Sequence, residues 1–145
     1  MTSRLFVDTS ALAKWYLNEE QSERFASFMA KTGGATISRL VVVEMHSLLN
    51  RRLRARDFSN RVRLDILRAF ETDLRQGFVE VHPLEDRHVE GAADILRDLP
   101  GIPVRTLDAL HLAAALALGA PGIATADRVM ARAGRKLGLR VVTFY

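Results

Sequence analysis

Asp8, Glu44, Asp108 and Asp127 lie far apart in the sequence, yet each falls where a predicted strand ends or a predicted helix begins. In a chain of alternating strands and helices, such positions converge on one edge of a parallel sheet. Carboxylates brought together repel, so one must take up a proton or several must share a cation. With no cysteine and only 4 histidines in the chain, the donors on offer are oxygens, which suit a hard ion such as Mg²⁺ or Mn²⁺. Metal-assisted hydrolysis of a phosphodiester is the chemistry such a set performs.

Each acid also has an ordinary structural role open to it. Asp8 heads Asp8-Thr9-Ser10, which is good turn and capping chemistry. Glu44 falls at the border of an apolar stripe of Val41, Met45, Leu48 and Leu49, where it can pair with Arg51 or Arg52. Asp108 sits in the first turn of a predicted helix, where an acid complements the helix dipole. His111, three residues on, shares that face and can orient it. Asp127 can cap the helix that follows. Period-two alternation through Ile123-Ala124-Thr125 puts its carboxylate on the same side as the Thr125 hydroxyl. Singly, the structural roles suffice; four acids at one sheet edge are harder to explain that way.

The elements that must gather these residues are legible as apolar runs between breakers. Leu5-Phe6-Val7 reads as a buried first strand, with Ser10 capping a helix through Leu12, Trp15 and Tyr16. A second helix is predicted over 20–31 and stopped by Gly33-Gly34. Ala35-Thr36-Ile37 is the second strand, Ser38 opens a helix to residue 54, and a fourth helix over 61–76 ends at Gly77. The third strand is 78–81, followed by a helix over 85–99 and the breaker Pro100-Gly101-Ile102-Pro103. Thr106 caps the next helix, Ile123-Ala124-Thr125 is the fourth strand, 127–137 a helix and 140–144 the fifth strand. This alternation predicts an α/β fold: a single three-layer domain over residues 1–145, with a five-stranded parallel sheet between helices. Right-handed crossovers then put all strand C-termini on one edge. Asp8 and Asp127 fall there directly, and Glu44 and Asp108 reach it from the first turns of their helices.

At 145 residues, 48% hydrophobic and 26% charged, the chain has the makings of one globular domain. The lack of cysteine excludes disulfides and thiolate metal sites and fits a reducing cytosol. The first residues reach Asp8 without the apolar stretch of a signal peptide. The longest apolar run, 112–118, is too short to span a bilayer. A cytoplasmic protein without membrane association is expected. The formal charge is +4, carried far more by arginine than lysine, which is compatible with nucleic acid, an acidic partner or plain codon usage.

The ordered set Phe6-Val7-Asp8-Thr9-Ser10-Ala11, Ile37-Ser38 with Val43-Glu44, Arg105-Thr106-Leu107-Asp108-Ala109-Leu110-His111-Leu112-Ala113 and Thr125-Ala126-Asp127 resembles the PIN domain family. It is most similar to the VapC-like ribonuclease toxins of type II toxin–antitoxin modules. The tail from Arg135 to Val142 resembles that family's closing helix and strand, so the likeness covers essentially the whole chain. It implies a parallel five-stranded sheet whose acids hold Mg²⁺ or Mn²⁺ for endoribonuclease cleavage, a homodimer, and a small antitoxin protein covering the cleft. Carried over by position, Asp8, Glu44, Asp108 and Asp127 form the catalytic acidic set. Asp8, Asp108 and Asp127 are the implied metal ligands, and Glu44 acts through a water. Thr9, Thr125 and Ser38 are supporting hydroxyls, and Arg39 and Arg105 lie near enough to contact RNA.

Products should carry 5′-phosphate and 3′-hydroxyl ends. The arginine-rich stretch from Arg51 to Arg68 reads as a phosphate-tracking surface, a partner-gripping arm or a solvated helix face. Two other classes remain open: a non-catalytic PIN-like module for RNA or protein, and a PIN nuclease outside toxin–antitoxin systems. A phospho-receiver domain fits poorly, because Val81-His82-Pro83 supplies no acid at the third strand's end and Arg140 stands where a lysine is expected.

Overall fold

The computed structural model describes residues 4–145. The expectation that no signal peptide begins the chain falls partly on Met1, Thr2 and Ser3, which lie outside the described residues. Five short apolar strands form the sheet: β1 (Phe6–Val7), β2 (Ala35–Ser38), β3 (Val79–His82), β4 (Gly122–Thr125) and β5 (Arg140–Thr143). All pairings are parallel, in the order β3-β2-β1-β4-β5. Phe6 pairs with Thr36 on one side and Ile123 on the other. The strand order reverses at β1, so chains leaving β1 and its neighbours diverge and open a crevice at their C-terminal ends. Asp8 is the first residue after β1.

Among the described residues seven helices cover the sheet: α1 (Thr9–Tyr16), α2 (Ser22–Thr32), α3 (Arg39–Arg54), α4 (Asn60–Arg75), α5 (Asp86–Asp98), α6 (Thr106–Ala117) and α7 (Arg128–Lys136). Strand alternation divides the core in two. Val7, Ile37, Val79 and Ala124 pack with Leu12, Phe25, Met29, Val41, Met45 and Phe70 from α1 to α4. Phe6 and Ile123 point the other way, onto Ile95, Leu112 and Met130 from α5, α6 and α7. Each of the larger buried side chains, the valines, leucines, isoleucines, phenylalanines and methionines, contributes roughly 1.5–3 kcal/mol. Together they fix the sheet between two helical layers, as the sequence pattern predicts. No helix among the described residues is long and apolar enough to cross a membrane.

The predicted boundaries hold to within about two residues, the usual latitude at helix ends. Helix α2 starts at Ser22 rather than 20, because Gln21 takes a left-handed conformation with φ 70°. Ser10 does not cap α1; the cap is Asp8, whose carboxylate accepts from Ala11 N at 3.0 Å. Arg105, not Thr106, is the residue before α6. Glu44 lies in the second turn of α3 rather than the first.

Gly34 joins α2 to β2 at φ 121°, and a Cβ there would fall 2.1 Å from the Phe78 carbonyl oxygen. Gly34→Ala therefore combines backbone strain with a clash against an edge of the sheet. A loss of about 3 kcal/mol is expected, read as a lower urea midpoint at unchanged m-value.

Candidate active site

Asp8 is only 3% exposed, at the floor of the crevice. Its Oδ1 accepts from Ser10 Oγ at 2.8 Å and from Ala11 N at 3.0 Å, and its Oδ2 accepts from Thr125 Oγ1. The donors are two hydroxyls and an amide, so the buried carboxylate is oriented without being neutralised. Burial pushes its proton affinity above the ordinary aspartate value; the Thr125 bond, nearby His111, Ser10 and Ala11 oppose this without cancelling it. Both hydroxyls are themselves fixed by backbone amides at the end of β4. Ser10 Oγ accepts from Ala126 N at 2.9 Å, and Thr125 Oγ1 accepts from Asp127 N at 3.0 Å.

Glu44 enters from α3. Its Oε1 accepts from Thr9 Oγ1 at 2.8 Å and is also bonded by His111 Nε2 of α6. Because a carboxylate only accepts, Nε2 carries the hydrogen in this bond. Burial would raise the Glu44 carboxyl, but the His111 ring, the Thr9 hydroxyl and Arg51 outweigh it and hold the group below its ordinary value. His111 is 2% exposed, its ring 6.4 Å from that of Phe6, and its Nδ1 is buried without a hydrogen-bond partner among the described residues.

Asp108 and Asp127 complete the wall. Asp108 Oδ2 accepts from Arg105 N at 3.3 Å, closing the first turn of α6. Asp127 caps α7, its Oδ1 accepting from Met130 N at 2.8 Å. The Arg105 guanidinium lies 3.6 Å from Asp108 and 3.8 Å from Asp127, on a side chain that is 78% exposed. The four acids, with Thr9, Ser10, Arg51, Arg105 and His111, line one cleft of about 560 Å³.

The PIN domain model matches residues 5–136, from the first core strand to the end of α7. The chain belongs to the PIN domain family. In sequence, this PIN domain matches no curated protein. Its fold is similar to a Mycobacterium tuberculosis toxin, VapC20, described as cleaving the sarcin–ricin loop, at 22% identity and TM-score 0.69, covering 90% of this chain and 95% of that one. It also resembles VapBC2 of Rickettsia felis bound to promoter DNA (14%, TM-score 0.69, 97% and 98% covered). A third likeness is a toxin–antitoxin complex of Klebsiella pneumoniae (15%, TM-score 0.62, 97% and 98% covered).

Several expectations for the PIN domain's residues meet a different arrangement. His111 bonds Glu44, not Asp108, because the cross-element contact prevails over the shared helix face. Glu44 does not pair with Arg52, which instead reaches Glu19 and, at 3.2 Å, Asp57. Ser38 spends its hydroxyl on Leu40 N at 3.2 Å as the cap of α3 and does not line the cleft. Arg39 is exposed at the start of α3 and is also absent from the cleft wall. Ser10 was not singled out by sequence reasoning for this site; its position two residues after Asp8 was the available signal.

The donor chemistry fits a hard divalent cation: carboxylates and hydroxyls on a floor where Asp8 has no balancing charge bonded to it. As the side chains stand, no group of three or more His, Asp or Glu among the described residues is gathered to hold a metal. Arg105 supplies the positive charge between Asp108 and Asp127.

Proposed function

We propose that this chain is a Mg²⁺- or Mn²⁺-dependent endoribonuclease, a single PIN-like nuclease domain over residues 1–145 that serves as the toxin of a toxin–antitoxin pair. The observation that carries this reading is the meeting of Asp8, Glu44, Asp108 and Asp127 in one cleft above the switch point of a PIN-family sheet. The likeness to VapC20, and to toxin–antitoxin complexes, supports an RNA substrate and a small antitoxin partner. A homodimer working in the cytoplasm belongs to the same reading.

Asp8, Asp108 and Asp127 would hold the cation, with Glu44 acting through a water. Bound there, a divalent ion supplies a water of lowered pKa and stabilises charge on the scissile phosphate. The chain's own groups prepare the site. Ser10 and Thr125 set the plane of the Asp8 carboxylate, and Thr9 and His111 set that of Glu44. Arg105 and Arg51 place positive charge at the mouth, where phosphate arrives; Arg39 stands further out for RNA contact. Arg105→Ala is expected to raise KM for RNA about tenfold with a smaller change in kcat, the loss of one charge-assisted phosphate contact.

Purified protein should cut RNA with Mg²⁺ or Mn²⁺ and not with EDTA, leaving 5′-phosphate and 3′-hydroxyl ends. Terminal 2′,3′-cyclic phosphates would sink the metal-assisted scheme. Divalent-ion binding without cleavage of the RNAs tried would favour narrow target choice, whereas neither cleavage nor divalent-ion binding would favour a non-catalytic binding module.

A further inference from the structure

We infer that the groove between α7 and the segment 98–105 is the track along which single-stranded RNA leaves the acidic cleft. This rests on the nuclease reading above and names the path of its substrate. The groove encloses about 590 Å³, with Leu99, Pro100 and Ile102 on one wall and Arg132, Arg135 and Lys136 on the other. The same two segments border the acidic cleft: Arg105 closes 98–105 against Asp127, the cap of α7. From Asp127 to Lys136 is ~14 Å along the helix axis. Helix α7 thus lines both, with its cap Asp127 and Met130 in the cleft and Arg132, Arg135 and Lys136 in the groove.

Charge gives the groove its occupant. Helix α7 reads Arg128-Val129-Met130-Ala131-Arg132-Ala133-Gly134-Arg135-Lys136 and contains no acid. Its four cations fall within an arc of ~100°, opposite the buried Met130 and Gly134. The side chains of Arg132, Arg135 and Lys136 form no hydrogen bond or ion pair among the described residues. Most arginines elsewhere on the helices are engaged, as Arg52, Arg68 and Arg97 are with neighbouring acids. Dipole complementarity accounts for Arg135 and Lys136 in the last turn, but it disfavours Arg128 in the first. Arg128 is instead held over the Tyr145 ring at 4.0 Å. Asp98, the acid in the groove, is taken up by Arg97 at 2.9 Å. Unpaired Arg132, Arg135 and Lys136 beside an aliphatic wall of Leu99, Pro100 and Ile102 fit a phosphate backbone on one side and the apolar faces of bases on the other.

The test uses the 145-residue chain carrying Asp8→Asn, which is expected to hold RNA without cutting it, and a labelled single-stranded RNA titrated over a range of salt. In that background R132E/R135E/K136E is compared with R61E/R63E/R68E, which makes the same charge change on α4. The groove variant is expected to bind at least tenfold more weakly, and its salt slope should shrink by about 2, from three lost phosphate contacts at ~0.7 each. Circular dichroism verifies the fold of each variant. With Asp8 restored, the groove variant should show raised KM at unchanged kcat. Equal weakening by the α4 control would reduce the effect to net charge and overturn the track. So would unchanged binding, which would leave an acidic protein as the groove's occupant. Failure of the parent Asp8→Asn protein to bind RNA would instead bring down the nuclease reading itself.

Discussion

Asp8→Asn is expected to lower RNA cleavage by at least ~100-fold while raising the thermal stability of the metal-free protein at neutral pH. Both effects come from the same burial. Asp8 sits on the cleft floor with hydroxyl and amide donors, so its charge is oriented and available to a cation. Partners of metal ligands, when removed, already lower activity 10–100-fold, and a direct ligand should lie at or beyond the upper end. The stability effect follows from the raised proton affinity of the folded carboxyl. Between the ordinary and the raised pKa the folded state binds more protons than the unfolded one, so stability falls as pH rises through that window. The penalty is complete above the folded pKa and absent below the ordinary value near ~3.9. Asparagine keeps an acceptor for Ser10 and Ala11 without the charge. Melting curves in EDTA should show the variant more stable at pH ~7, with the difference vanishing near pH ~3. A variant less stable at neutral pH would mean that the hydrogen bonds to the carboxylate outweigh its burial.

His111→Leu should reduce cleavage roughly 10–100-fold with little change in RNA affinity. Leucine fills the buried volume beside Phe6 and relieves the unpartnered Nδ1, so a folded protein is expected. What it removes is one of the two donors fixing Glu44 Oε1, leaving Thr9 alone at 2.8 Å. Glu44 would then swing within the cleft, and the loss should appear in kcat rather than KM. His111→Gln keeps a donor on a similar reach and should recover part of the rate. Equal activity for His111→Leu and the parent would make this histidine a core residue and no more. A deficit in both variants that tracks lost melting temperature would say the same.

The sheet and its helices were legible because strand runs such as Ile123-Ala124-Thr125 are short, apolar and bounded by breakers. Hydrophobic pattern reports burial, and burial dictates the layers. Thr125 was also legible: alternation puts its hydroxyl beside Asp127, and it bonds the Asp127 amide as well as Asp8. For Asp8 and Asp127 the structural and chemical roles were never exclusive, since each caps a helix with one oxygen while facing the cleft. What the sequence hid were contacts between elements distant in the chain. His111 lies 67 positions from Glu44, and local helix geometry pointed it toward Asp108 instead. The dual bonding of Ser10, to Asp8 and across to Ala126, depends on the β1–β4 register, which no local pattern states.

Binding of a divalent cation by the cleft's carboxylates is open to Mn²⁺ titration followed by electron paramagnetic resonance. Protein added to Mn²⁺ should suppress the free-ion signal saturably, and Mg²⁺ should restore it by competition. Asp8→Asn and Asp108→Asn should each leave the free-ion signal largely intact, while R61E/R63E/R68E behaves as the parent does. Equal Mn²⁺ uptake by the parent and both acid variants, or none by any of them, would mean that these carboxylates are not a cation site.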